Sequence, residues 1–512
     1  MLSVEGDPNV VAEKGNNDPE ERESVKRPNI VLIMTDQHRF DALGCYGNSV
    51  IETPNLDSLA REGTVFTSAY SCTPSCVPAR TSLISGMDPW HTGVLGTGKG
   101  QGKMGGNFKH TLPGELSKSG YYTLGIGKMN FSPQRSLNGF HRTSLDEMGR
   151  VESPDFVSDY AEWFERNKTG DYGSVDHGID WNSWISRPFH APEFLHPVNW
   201  TANETIHLLA KRDPTVPFFL KVSFTRPHSP YDPVPYYFDM YREKPLPKPL
   251  IGEWAGMHDQ PDDAHSTSAW RGKRSDEEIR RARAGYYGLV SQIDQQIGRL
   301  FAYLRQIGAW ENTVILFTSD HGDMLGDHNL WRKTYAYEGS AHIPFIVRLP
   351  KSMRQTYALP RHVDKPVCLQ DVMPTLLEAA GISVPDTVDG KSVLPLLRGE
   401  AAGWREFVHG EHSWCYSEEQ EMQFLTNGRW KYIWFPRLGT EQLFHLAADP
   451  GECRDLSADA AYIGQLAAWR ERLVRVLEPR NCGFTESGRP VCQAGRPPLV
   501  SPFYKLRTES GI

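Results

Sequence analysis

Residues 275–323, SDEEIRRARAGYYGLVSQIDQQIGRLFAYLRQIGAWENTVILFTSDHGD, decide the fold. Ile279, Ala282, Tyr286, Leu289, Ile293, Ile297, Leu300 and Leu304 recur at helical spacing and make one apolar stripe, so residues 275–307 read as a helix with one buried face. Ser275 and Glu278 have the spacing of a capping box at its start, and Gly308 is a natural stop. Residues 314–317, Val-Ile-Leu-Phe, are then apolar without alternation, as a strand covered on both faces requires. That strand runs straight into Asp320 and His321.

Other apolar runs of strand length follow the same plan. Residues 30–34 lead to Asp36, residues 123–126 to Lys128, and residues 217–224 to His228. Near-continuous apolar strands alternating with helices predict an α/β fold, a large mainly parallel sheet sandwiched by helices. Ligands of such sheets sit outside the carboxyl ends of the strands, so these polar residues are expected to converge on one site. From about residue 400 the texture changes. Aromatic-rich segments at 430–435 and 442–446, then a helical stretch at 462–477, predict a smaller antiparallel sheet with a packed helix. The expected division is a flexible tail over 1–27, a catalytic domain over 28–399 and a smaller α+β unit with its tail over 400–512. Long loops at about 130–200 and 225–275 are rich in Trp, Pro, His and Gly and are expected to form substrate walls.

The chain has 512 residues, with 39% hydrophobic, 11% aromatic and 23% charged residues, an ordinary globular balance. A formal net charge of -8 and the lack of a long Lys/Arg run argue against nucleic acid as a partner. No apolar run approaches the roughly 20 residues of a membrane span, and the polar N-terminal residues hold no signal-peptide core. A cytoplasmic protein without membrane contact is therefore expected. Nothing in the sequence sets an oligomeric state. The eight cysteines are scattered, and only Cys482 and Cys492 are close enough along the chain to suggest a local bridge.

Cys76 stands apart from the others. It opens Cys76-Val77-Pro78-Ala79-Arg80, followed by Thr81-Ser82-Leu83-Ile84-Ser85-Gly86. Pro78 suits a first helical turn, which puts Cys76 just before a helix N-terminus, where the dipole favours a thiolate. A buried structural cysteine near a helix start fits the same residues. Asp36 and Asp320 can ligate a divalent cation, with His321 offering a ring nitrogen and Gln37 an amide oxygen. Such a set suits Ca²⁺ foremost, with Mg²⁺ or Mn²⁺ as alternatives.

The string at 76–86 resembles the C-x-P-x-R signature of the formylglycine-dependent sulfatases, a family of alkaline-phosphatase-like fold. The similarity extends over roughly 28–456, from Pro28-Asn29-Ile30-Val31 and Thr53-Pro54-Asn55-Leu56-Asp57 to Asp449-Pro450-Gly451-Glu452. It implies that Cys76 is oxidised to formylglycine by a formylglycine-generating enzyme, that the hydrated aldehyde attacks sulfur, and that the sulfated intermediate collapses to aldehyde and inorganic sulfate. It further implies that Asp36, Gln37, Asp320, His321 and the modified Cys76 hold the metal, that Arg80 steadies the formylglycine, and that Lys128, His228 and Lys333 bind sulfate. His228 and Lys333 would assist the leaving group. The implied substrate is a sulfate monoester of a small molecule or saccharide, carbohydrate or aryl.

The chain departs from the family pattern in two places. Asp36-Gln37 replaces the frequent aspartate pair, and the same Asp-Gln is found in choline-sulfatase-like and phosphonate monoester hydrolase-like relatives. Gly127-Lys128-Met129-Asn130 has an amide where many sulfatases carry a histidine, and an amide is no base near neutral pH. Asn130 is therefore expected in the substrate site. The alternatives are a phosphonate monoester or phosphodiester hydrolase on the same scaffold, and a non-catalytic binder of sulfate esters if Cys76 is never converted.

Overall fold

The computed structural model describes residues 27–97, 104–105, 108–261 and 265–504, so residues 1–26 of the expected tail lie outside them. The central sheet has eight strands: β1 (Asn29–Asp36), β2 (Thr64–Phe66), β3 (Tyr122–Gly127), β4 (Arg142–Leu145), β5 (Phe218–Pro227), β6 (Thr313–Ser319), β7 (Phe345–Arg348) and β8 (His362–Val363). Their order is β8-β2-β7-β6-β1-β5-β3-β4. β6, β1, β5, β3 and β4 run parallel to one another, and β7 is antiparallel to both β6 and β2.

Helices cover both faces, and the period of two along β1 shows why. Val31 and Ile33 enter one core with α1 (Pro54–Glu62), α3 (Pro197–Ala210) and α4 (Asp276–Gln306). Ile30, Leu32 and Met34 enter the opposite core with α2 (Cys76–Ser85) and α5 (Val372–Ala379). A strand buried on both sides must be apolar throughout. β1 stays apolar up to Thr35 and Asp36, where the sheet ends and the site begins.

α4 carries the expected capping box between Ser275 and Glu278, and the chain leaves it through Gly308 at φ +67. A four-stranded antiparallel sheet follows, made of β9 (Val408–His412), β10 (Met422–Thr426), β11 (Lys431–Phe435) and β12 (Thr440–Phe444), with α6 (Ile463–Leu477) packed on it. Lys431, fully buried on β11, lies 2.7 Å from Glu338 and 2.8 Å from Glu452. The suggested bridge between Cys482 and Cys492 does not form. Both are free thiols: Cys492 lies beside Gly439 in the β11–β12 turn, and Cys482 packs against the core under the small sheet. No helix among the described residues is long and apolar enough to cross a membrane.

Candidate active site

The nucleophile segment begins at Ser75, whose extended backbone (φ -152) turns the chain into α2. Cys76 is the first helical residue, one position further in than expected, and Pro78 occupies the first turn, where a missing N–H costs nothing. α2 is buried along its length and ends at Gly86, in the left-handed conformation at φ +68.

β1 and β6 deliver Asp36 and Asp320 side by side. Ligand atoms of Asp36, Cys76, Asp320 and His321 all lie within 4.8 Å of one another, and all four residues are buried. Cys76 Sγ is 3.2 Å from His321 Nε2 and 3.6 Å from Asp36 Oδ1. His321 Nδ1 donates to the Gly322 carbonyl at 2.9 Å, which leaves Nε2 with its lone pair facing the cluster. Buried carboxylates beside an imidazole are a donor set for a hard divalent cation, so these residues fit one.

Cations surround the cluster. Arg80 Nε bonds Asp320 Oδ2 at 2.8 Å, Nη2 bonds Asp36 Oδ2 at 3.1 Å, and Nη1 bonds the Lys128 carbonyl at 2.6 Å. Lys128 Nζ reaches Asp36 Oδ2 at 2.5 Å and lies 3.6 Å from Cys76 Sγ. Burial alone would raise the Asp36 carboxyl, but Lys128 and the neighbouring cations hold it well below the usual range. Burial and Asp36 push the Cys76 thiol up, while Lys128, Lys333 and His321 outweigh them and leave it below the ordinary thiol value.

On the opposite wall, Lys333 Nζ lies 2.9 Å from Gln37 Oε1 and 2.5 Å from His228 Nε2. His228 Nδ1 is 2.7 Å from the Ser229 carbonyl and donates to it, so Nε2 is the acceptor facing Lys333. Burial, then the Lys333 charge, holds His228 well below the usual imidazole range, and the ring is neutral. Lys128, Asn130, His228 and Lys333 line one cavity of about 430 Å³ with Cys76 at its floor.

The fold thus brings all the expected site residues together. Sequence reasoning missed the groups that orient them. Asp323, wholly buried, accepts from Gln37 Nε2 and from the Tyr231 hydroxyl, each at 2.5 Å, so the Gln37 amide oxygen is the end turned to Lys333. Glu147 accepts the backbone N–H groups of Met129 and Asn130 at 2.9 and 3.0 Å and the Asn130 amide at 3.1 Å. Asn130 Oδ1 is left buried with no partner, in a residue lining the cavity. His412 comes from β9 to bond Ser75 Oγ at 2.8 Å. Asp323 sits in the visible string Asp320-His321-Gly322-Asp323, whereas Glu147 and His412 carry no sequence signal of their own.

A buried thiol, an acidic metal-ligating cluster and a cationic wall at the carboxyl ends of parallel strands define a metal-assisted ester hydrolase. The sulfatase family model matches residues 28–382, and a model of the C-terminal part of N-sulphoglucosamine sulphohydrolase matches 326–478. An arylsulfatase of Clostridium perfringens is 41% identical over 473 residues, covering 90% of this chain and 97% of that protein. A choline-sulfatase of Rhizobium meliloti is 30% identical, covering 84% and 82%. The phosphonate monoester hydrolase of Agrobacterium radiobacter superposes with a TM-score of 0.74 at 25% identity, covering 93% of this chain and 99% of that one. The chain belongs to the sulfatase family and is a sulfuric ester hydrolase. The family uses a divalent metal and formylglycine, and the cluster around Cys76 is built to suit both.

Proposed function

We propose that this chain hydrolyses the sulfate monoester of a small molecule or sugar, with Cys76, as formylglycine, supplying the nucleophile. The observation that carries this reading is the floor of the cavity. The Cys76 side chain stands between a carboxylate–imidazole cluster and two ammonium groups, Lys128 and Lys333. Asp36, Gln37, Asp320, His321 and the modified Cys76 would hold the metal, and the oxygen-rich set favours Ca²⁺. Together the aldehyde hydrate and the cation supply a hydroxyl activated for attack on sulfur.

The protein's own side chains do the rest. Arg80 ties Asp36 to Asp320 and fixes the angle between the two strand ends. Lys128 and Lys333 place positive charge where the sulfuryl oxygens gain negative charge. Lys333 Nζ holds a proton against neutral His228 Nε2, and this pair is placed to hand it to the departing alkoxide. Asn130 Oδ1 is a buried acceptor without a partner in a residue that lines the cavity, and the bond from Nδ2 to Glu147 orients the amide.

The likeness to a phosphonate monoester hydrolase, together with Gln37 in place of a second aspartate, supports a side activity on phosphonate esters. Parallel kinetics with phenyl sulfate and phenyl phenylphosphonate test the order. The sulfate is expected to have the higher kcat/KM, and a strong preference for the phosphonate would overturn the assignment.

A further inference from the structure

A second cavity, of about 270 Å³, lies beside the first. The two share Met148, Gly149, Arg150 and Trp181. Met148 and Gly149 both turn through left-handed backbone, at φ +53 and +72, and the Trp181 ring lies directly over the bare Gly149 Cα, where a Cβ would come within 2.5 Å of it. Met148 Sδ lies 3.7 Å from Lys128 Nζ, so the wall of the second cavity touches the group beside the nucleophile.

The lining of the second cavity has a definite chemistry. Phe156, Phe189 and Pro197 face it, and Val151, Val157 and Val175 form part of its boundary while being 58%, 50% and 49% exposed. Apolar side chains left in water at the mouth of a cavity mark a place where apolar ligand surface is covered. Three of the polar groups that line it, Asp146, Arg226 and Tyr160, already have partners. Asp146 accepts from Met148 N and Thr225 Oγ1, each at 3.1 Å, Arg226 is doubly bonded to Asp232 at 2.7 and 2.9 Å, and the Tyr160 hydroxyl donates to the Leu195 carbonyl at 2.9 Å. A sugar ring placed there would lose hydration at its hydroxyls with little offered in exchange.

We propose that this cavity is the subsite for the alcohol half of the substrate, and that it takes an apolar aryl or alkyl group. The inference rests on the sulfate-ester reading of the Cys76 site. The ester sits above Cys76 and the alcohol passes over Met148 and Trp181 into the valine-rimmed cavity.

The test uses para-alkyl phenyl sulfates from methyl to hexyl, whose phenols differ little in acidity, with Val157→Asp and Val175→Asp on the exposed rim. With the unaltered protein, kcat/KM should rise about fourfold for each added methylene until the cavity is filled, through KM. Either variant should flatten that rise, lowering kcat/KM more for the hexyl ester than for phenyl sulfate. A flat series in the unaltered protein, or a rise untouched by both variants, would overturn the proposal. Calorimetric titration of Cys76→Ala with para-hexylphenol reads the cavity without turnover. Binding that both rim variants weaken at least tenfold supports the subsite even if every sulfate ester is inert, an outcome that would sink the sulfatase reading alone. Absence of binding rejects the subsite.

Discussion

Replacing Asp323 with asparagine changes one atom and should disable the metal site from behind. In the native arrangement Asp323 Oδ2 accepts from Gln37 Nε2, and Oδ1 accepts from the backbone of Leu325 and Arg332 at 2.8 and 3.0 Å. In Asp323→Asn the side-chain oxygen would stay on the two backbone donors and the new NH₂ would turn toward Gln37. Two amide NH₂ groups then face each other, and the Gln37 amide relieves the clash by turning away the oxygen proposed to ligate the metal. Loss of such an orienting partner weakens metal binding by about tenfold to a hundredfold, or ~1.4 to 2.7 kcal/mol. Calorimetric titration with Ca²⁺ measures this directly, and urea unfolding in chelator should place the two apo proteins within about 2 kcal/mol of each other. The decisive control moves the amide across the pair. Gln37→Glu combined with Asp323→Asn keeps the charge and restores an oxygen toward the metal, so affinity should return to within about threefold of native. Native affinity in Asp323→Asn alone, or no recovery in the double variant, would refute this account of Gln37.

Further outcomes follow from other parts of the chain. Lys431→Met leaves Glu338 and Glu452 buried without their shared cation, so it should cost about 3–5 kcal/mol in urea unfolding, and adding Glu338→Gln and Glu452→Gln should recover most of the loss. Burial lowers His196, His409 and His412 to about 4, so each stays neutral in the fold while the unfolded chain takes up a proton near 6.5. Their stabilisation is complete above about pH 6.5 and is lost as pH falls toward 4. The urea midpoint should drop across that window, and His196→Gln should flatten its share, which a pH-independent midpoint would contradict. Asn130→His puts a titratable ring against Glu147, and steady-state kcat is expected to rise several-fold with little change in the single-turnover rate of ester cleavage. Unchanged rates in both regimes would show that Asn130 does not limit turnover.

The sequence makes some parts of this molecule far easier to read than others. β1, β3, β5 and β6 are legible because central parallel strands are largely apolar on both faces, although β5 carries a buried Lys221 in its middle. The short strands β2 and β8 at one end of the sheet have no such pattern, and the pairing of β2 with β8 and with β7 depends on long-range contacts. Asp36, Cys76 and Asp320 stand out by chemistry and position, whereas Glu147 and His412 are ordinary residues until the fold sets them against Asn130 and Ser75. The Cys482–Cys492 expectation failed because nearness along the chain says nothing about which way two side chains point. The valine-rimmed cavity is equally hidden, since Val151, Val157 and Val175 meet only through the loops that carry them.

The central claim is that Cys76 becomes the nucleophile, and peptide mass spectrometry of protein from its native host tests it most directly. The tryptic peptide spanning 62–80 contains Cys76 and reports its state in one spectrum. Across preparations converted to different extents, phenyl sulfate turnover should be proportional to the aldehyde fraction of that peptide, with an intercept at zero. Full turnover from protein whose Cys76 is entirely thiol would contradict the account.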